Sequence, residues 1–128
     1  MPNTSALGKK GEEEAAAFLQ SSGIEIITRN YRSRYGEIDI IAKESETIIF
    51  VEVKTWSSIG FTDLQYSIDI KKQKKIIKTA KYFLLENREY SNMSIRFDVV
   101  FIGHEASNSR TPDNFKFNHL VSAFTESV

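Results

Sequence analysis

Two periodicities run through this chain. Over residues 6–21 apolar positions recur every three to four residues, and Leu7, Gly11, Ala15, Phe18 and Leu19 fall on one face at about 100° per residue. That spacing predicts a helix, with Ser5 at the capping position and Ser21-Ser22-Gly23 as its end. The same period returns over 68–86, where Ile76, Ile77, Ala80, Phe83 and Leu84 share a face. Between the helices the period falls to two. Ile24–Thr28, Glu37–Lys43 and Thr47–Lys54 read as strands, and the turn Glu44-Ser45-Glu46 joins the last two as a hairpin. Arg96–Ile102 is a fourth strand. Arg29–Gly36, Thr55–Tyr66 and 103–114 read as loops, and the tail NFKFNHLVSAF as an edge strand or a short helix. The order α-β-β-β-α-β predicts an α/β domain over residues 1–128, a mixed β-sheet flanked by helices.

Charge interrupts the strands at particular places. Side chains alternate across a strand, so Phe50, Glu52 and Lys54 share one face and Val51 and Val53 the other. Glu52 and Lys54 are then about 6–7 Å apart. Asp39, flanked by Ile38 and Ile40, falls across the hairpin near Glu52. Buried charge is costly unless paired or bound to a metal. A lone E-x-K in a strand is accounted for by a salt bridge at the sheet end. Two carboxylates with one amine leave surplus negative charge, which suits a hard divalent cation such as Mg²⁺ or Mn²⁺.

Other polar residues take their meaning from the helical angle. Of Glu12, Glu13 and Glu14, Glu12 borders the apolar face beside Leu19, Glu14 borders its other edge and Glu13 points outward. The helix dipole favours all three. Lys71, Lys74, Lys75, Lys78 and Lys81 spread over a solvated side, whereas Lys72 borders the apolar stripe next to Phe83. Gln73 lies within that stripe, where an amide either caps something or reaches a site. Arg29, Asn30, Arg32 and Arg34, interleaved with Tyr31 and Tyr35, form a candidate nucleic-acid-binding segment, because arginine grips phosphate and tyrosine stacks on bases. Asp98 reads as structural, paired with Arg96 or a backbone donor. His104 and His119 have no partner spacing that suggests ligation.

Composition narrows the classes. The chain is 41% hydrophobic and 27% charged, ordinary for a soluble domain, and its N-terminal stretch is neither a signal peptide nor a membrane span. It contains no cysteine, which excludes disulfides and cysteine-based zinc sites and fits a reducing cytoplasm. Lys+Arg and Asp+Glu balance at 17 each, so a nucleic-acid partner must be held by a local basic patch.

The ordered set Gly8–Ala15 (G-x-x-G-E-x-x-A), Arg29–Arg32 (RNYR), Gly36–Ile41 (GEIDII), Phe50–Lys54 (FVEVK), Lys71–Gln73 (KKQ) and Arg96–Val100 (RFDVV) resembles the YraN (UPF0102-type) family of small bacterial proteins. That family is related to archaeal Holliday-junction resolvases within the PD-(D/E)XK nuclease superfamily. The resemblance covers nearly the whole chain. It implies a restriction-endonuclease-like core in which Asp39, Glu52 and the Val53 carbonyl bind Mg²⁺ or Mn²⁺. Lys54 would position or deprotonate the attacking water, Glu12 would complete the acidic cluster, and Gln73 would orient water, lysine or phosphate. Where the family often has an arginine two residues after the motif lysine, this sequence has Trp56, which stacks or packs instead. With Arg29, Asn30, Arg32, Arg34 and Lys72, Trp56 makes up the expected nucleic-acid-binding set. The expected activity is metal-dependent DNA hydrolysis, with branched or structured DNA as a candidate substrate. The alternatives are a catalytically inactive nucleic-acid-binding module and a purely structural charge cluster. Symmetric cutting of two strands would require a homodimer, for which the tail after Ile102 is the candidate face; no membrane partner is expected.

Overall fold

A computed structural model describes residues 4–56, 68–105 and 114–126, without the side chains of 4–9, 56, 104–105 and 114. The chain folds as α1 (Thr4–Ser21), β1 (Glu25–Ser33), β2 (Gly36–Glu44), β3 (Thr47–Trp56), α2 (Ile70–Glu86), a 3₁₀ turn (Arg88–Tyr90), β4 (Ser94–Glu105) and β5 (Asn114–Phe124). The five strands form one sheet in the order β1-β2-β3-β4-β5, in which only β3 and β4 run parallel. The predicted order α-β-β-β-α-β therefore holds, with the C-terminal tail adding an edge strand.

The sheet is covered on both faces. Ala15 and Leu19 of α1 pack on Ile40, Ala42, Ile49 and Val51. On the other face Ile76, Ala80 and Phe83 of α2 pack on Ile41, Ile48 and Phe50. Central strand β3 is buried on alternate sides by alternate residues, which is why it reads as a nearly continuous apolar run. Thr79 is also fully buried, its hydroxyl donating to the Lys75 carbonyl within α2.

Several boundaries differ from the pattern. The RNYR segment is not a loop: β1 runs through it to Ser33, paired with β2 at Arg29↔Ile40, Tyr31↔Ile38 and Arg32↔Glu37. Tyr31 packs edge-on against Phe83 and its hydroxyl donates to Glu86 at 2.5 Å, so this tyrosine is structural. Backbone pairing in a sheet overrides the polar composition that suggested a loop. Thr55 and Trp56 extend β3, and Gly103–Glu105 extend β4. Residues 57–66 and 106–113 of the predicted loops lie outside the described residues. Ser5 is inside α1 rather than before it. Asp69 caps α2, accepting the Lys72 N–H at 2.8 Å.

Asp98 ties β4 to β5. It is fully buried and accepts Arg96 Nε and Nη2 at 2.9 and 3.0 Å and the Ser122 N–H at 2.9 Å, as the sequence suggested. His119, which had no partner in the sequence pattern, lies in β5 with Nε2 2.7 Å from Asp98 Oδ2. These bonds span the register irregularity between Phe97 and Val99. Burial raises the Asp98 pKa, but hydrogen bonds from His119, Arg96 and Ser122 outweigh it and hold it below the ordinary 3.8. Because the folded value is depressed, this contribution is present above the unfolded pKa and is lost as pH falls through the folded one. Asp98→Ala is expected to cost about 3–5 kcal/mol in urea unfolding at pH 7. The difference from wild type should shrink below pH 4.

Candidate active site at the fork between β2 and β3

The β2–β3 ladder runs from Glu44↔Thr47 to Ile40↔Val51 and ends there. Both strands continue: β2 stays paired with β1 as far as Gly36↔Ser33, and β3 with β4 as far as Trp56↔Gly103. The sheet therefore forks, with Asp39 and Glu52 at its crotch. In place of a strand carbonyl, the Val53 N–H donates to Asp39 Oδ2 at 2.8 Å. The N–H and C=O of a strand residue face the same neighbour, so the Val53 carbonyl also faces the fork.

The alternation in β2 breaks at this point. Ile38 and Ile41 pack with α2, whereas Ile40 and Ala42 pack with α1. Between Arg29↔Ile40 and Tyr31↔Ile38, the residue facing Asp39 is Asn30, whose φ is 54°. Asparagine is among the few non-glycine residues that tolerate this region. Gly36, at φ 150°, sets the turn leading into β2.

Both helices bring charge to the fork. Gly11 is buried where α1 crosses the sheet, and a Cβ there would lie 2.7 Å from Thr55 Cγ2 and 3.8 Å from Ile102 Cδ1. The close approach that glycine permits carries the next residue, Glu12, to Asp39. Burial pushes the Glu12 carboxyl up, and the Asp39 charge and hydrogen bond push it further, against Arg29 and Asn30. Burial also raises Asp39, opposed by the Val53 N–H and Lys72. Glu52 is 6% exposed and pushed up to about 7, first by burial and then by the Asp39 charge, against Lys72 and Lys54.

The ion pair of Glu52 is with Lys72, whose Nζ is 3.0 Å from Oε1. Burial would lower the Lys72 pKa; the bond to Glu52 and the charges of Glu52 and Asp39 raise it instead. Lys54 stands on the same strand face as Glu52, beside Lys72. The fork thus gathers Glu12, Asp39, Glu52, Val53, Lys54 and Lys72, with Arg29 and Asn30 at its α1 side. Lys72, expected among the nucleic-acid contacts, belongs to this cluster. Its position at the border of the α2 apolar stripe was the available signal. Nothing in the sequence marks the Val53 N–H as a partner of Asp39.

The other candidates are held by contacts of their own. Gln73 Nε2 donates to the Ile68 carbonyl at 3.2 Å, tying the entry of α2. Arg32 pairs with Glu37 at 3.2 Å, and Arg34 lies over the Tyr35 ring while donating to its hydroxyl at 2.9 Å. Trp56 ends β3, with its side chain outside the described set. Among the described residues no three His, Cys, Asp or Glu side chains converge closely enough to hold a metal by themselves. The fork instead offers two carboxylates and a carbonyl. These hard oxygens, two of them on acids with raised pKa values, fit a divalent cation.

A family model described as "Uncharacterised protein family UPF0102" matches residues 11–102. The chain belongs to that family, in keeping with its YraN-like motifs. It is 44% identical over 122 residues to a UPF0102 protein of Treponema pallidum (strain Nichols), covering 95% of this chain and 94% of the relative. A UPF0102 protein of Persephonella marina is 48% identical over 95 residues, 74% and 81% of the two chains. One from Treponema denticola is 43% identical over 126 residues, 93% and 95% of the two. No helix among the described residues is long and apolar enough to cross a membrane.

Two outcomes follow from this packing. Gly11→Ala should destabilise the fold by about 1–3 kcal/mol, by overpacking against Thr55, despite its better helix propensity; chemical denaturation measures this. In metal-free buffer Glu52 holds its proton more tightly folded than unfolded. Its contribution to stability is therefore fully present below its ordinary 4.5 and is lost as pH rises through about 7. Asp39→Asn, which removes the neighbouring charge, should flatten that loss in melting temperatures taken from pH 4.5 to 7.5.

Proposed function

We propose that this protein is a metal-dependent nuclease that hydrolyses phosphodiester bonds in DNA. The observation that carries this reading is the fork: two raised carboxylates and a backbone carbonyl face one opening, with lysine charge beside them. Asp39, Glu52 and the Val53 carbonyl would hold Mg²⁺ or Mn²⁺. What a bound divalent cation supplies is polarisation of the phosphoryl oxygen and a more acidic water. Lys54 presents fixed positive charge to a phosphate seated at the fork and offsets the negative charge that builds on it. Glu12, sharing a hydrogen bond with Asp39, fixes the orientation of that carboxylate. Lys72 holds Glu52 in place by their ion pair, and a bound cation would compete with it for that carboxylate. The water oxygen ends on phosphorus as the bond to the 3′ oxygen breaks, giving a 5′-phosphate and a 3′-hydroxyl. Branched or otherwise structured DNA is the substrate to try first.

A second reading rests on the ion pair of Lys72 with Glu52. With one acid already neutralised from within the chain, the protein would be a nucleic-acid-binding module that keeps the nuclease architecture without turnover. Cleavage separates the two. Labelled linear, flap and four-way-junction DNA are incubated with Mn²⁺, with Mg²⁺ and with EDTA. The nuclease reading expects cutting only with metal. It expects a fall of at least about 100-fold in Lys54→Met and loss of cutting in Asp39→Asn. Binding without cutting, equal in all three proteins, would establish the second reading instead.

A further inference from the structure

A basic stripe runs up to the acidic fork. On α2, Lys71, Lys75, Lys78, Tyr82 and Leu85 fall within an arc of about 80° and form one stripe about 21 Å long. Two neighbouring cavities lie between that stripe and the β1–β2 turn. One, of about 360 Å³, is lined by Gly36, Glu37, Asp69, Lys71, Lys72 and Lys75 and so borders the fork through Lys72. The other, of about 340 Å³, is lined by Tyr35, Lys78, Lys81, Tyr82 and Leu85. The ring centroids of Tyr35 and Tyr82 are 6.2 Å apart at an interplanar angle of 65°, and Tyr82 is 38% exposed.

The acids bordering this stripe already have partners. Asp69 accepts the Lys72 N–H, Glu37 pairs with Arg32, Glu86 accepts the Tyr31 hydroxyl, and Glu126 pairs with Lys81. Hydrogen bonds leave Asp69 and Glu86 charged, so Lys71, Lys75 and Lys78 against these two acids leave the track a small positive excess. Lysines at one end and the exposed Tyr82 ring beside half-buried Tyr35 at the other are the chemistry that unpaired nucleic acid uses, phosphates on cations and bases on rings. A duplex keeps its bases stacked inside and cannot use the rings.

We propose that the outer face of α2 and the β1–β2 turn form a track for an unpaired DNA strand that leads to the fork. Lys71, Lys75 and Lys78 hold its phosphates, and Tyr82, braced by Tyr35, stacks on its bases. The track rests on the nuclease reading only for what lies at its end, and binding without metal tests it separately.

The experiment is fluorescence anisotropy with labelled oligo-dT and a hairpin duplex of equal length, in EDTA. Tyr82→Ala is expected to weaken oligo-dT binding by roughly five- to one-hundred-fold and to leave duplex binding within about twofold. Tyr82→Trp should retain the oligo-dT affinity. The pair Lys75→Gln with Lys78→Gln should reduce the slope of log K against log salt by about 1.4, at about 0.7 per single-strand phosphate contact. Unchanged oligo-dT affinity in Tyr82→Ala, or equal loss for duplex and single strand, would overturn the track. Loss of oligo-dT binding in a protein that cuts no DNA would keep the track and end the nuclease reading. Cutting with unaltered oligo-dT binding would do the reverse.

Discussion

One hydrogen bond organises this molecule: the Val53 N–H on the Asp39 carboxylate. A sheet ordinarily satisfies each buried strand amide with a carbonyl from the next strand. Here β2 and β3 part after Ile40↔Val51, and a side chain takes over the bond. That substitution lets the sheet open without leaving an orphaned donor; among the described residues no buried side-chain polar atom lacks a partner. It also fixes a carboxylate at the crotch of the fork, with the Val53 carbonyl facing the same way. Asn30 and Gly36 supply the backbone turns that bring β2 to this geometry, and Gly11 brings α1 close enough to add Glu12.

The fork carries an electrostatic debt that the fold does not settle alone. Burial raises Glu12, Asp39 and Glu52, and the Asp39 charge raises Glu12 and Glu52 further. Lys72 relieves part of this by direct contact with Glu52, and Lys54 part by proximity. Asp98 is the instructive contrast. It is fully buried, yet surrounded by enough donors that its pKa falls. The chain can thus satisfy a buried acid completely where stability is all that is required. At the fork the acids stay raised despite Lys72, Lys54 and Arg29, a strain that a bound cation would relieve.

Much of this was legible in the sequence because it follows from periodicity. The two helices, the 44–46 turn and the facing of Asp39 and Glu52 come from periods of 3.6 and 2 together with the register that the turn imposes. Glu12 was distinguished from Glu13 by helical angle alone; Glu13 is exposed and Glu12 half-buried. Asp98 was placed with Arg96 from their spacing. What escaped is what depends on long-range pairing. RNYR looks like a loop because its residues are polar, and only its ladder with β2 makes it a strand. His119 looks partnerless until β5 sets it beside Asp98. The break in alternation at Asp39 contradicts the period-two pattern, and it does so at the site itself, where local rules are expected to fail. Lys72 was seen at the edge of its stripe, but its partner lies on another element and could not be read from spacing.

The central claim is that Asp39 and Glu52 form a divalent-cation site. Mn²⁺ binding followed by the loss of its free electron-paramagnetic-resonance signal tests this most directly, without any substrate. Wild-type protein at pH 7.5 should bind one Mn²⁺ per chain, Glu52→Gln should bind it more weakly, and Asp39→Asn should not bind it. Wild type that leaves the free-ion signal as Asp39→Asn leaves it would contradict the account, and the fork would then be a structural cluster of charge.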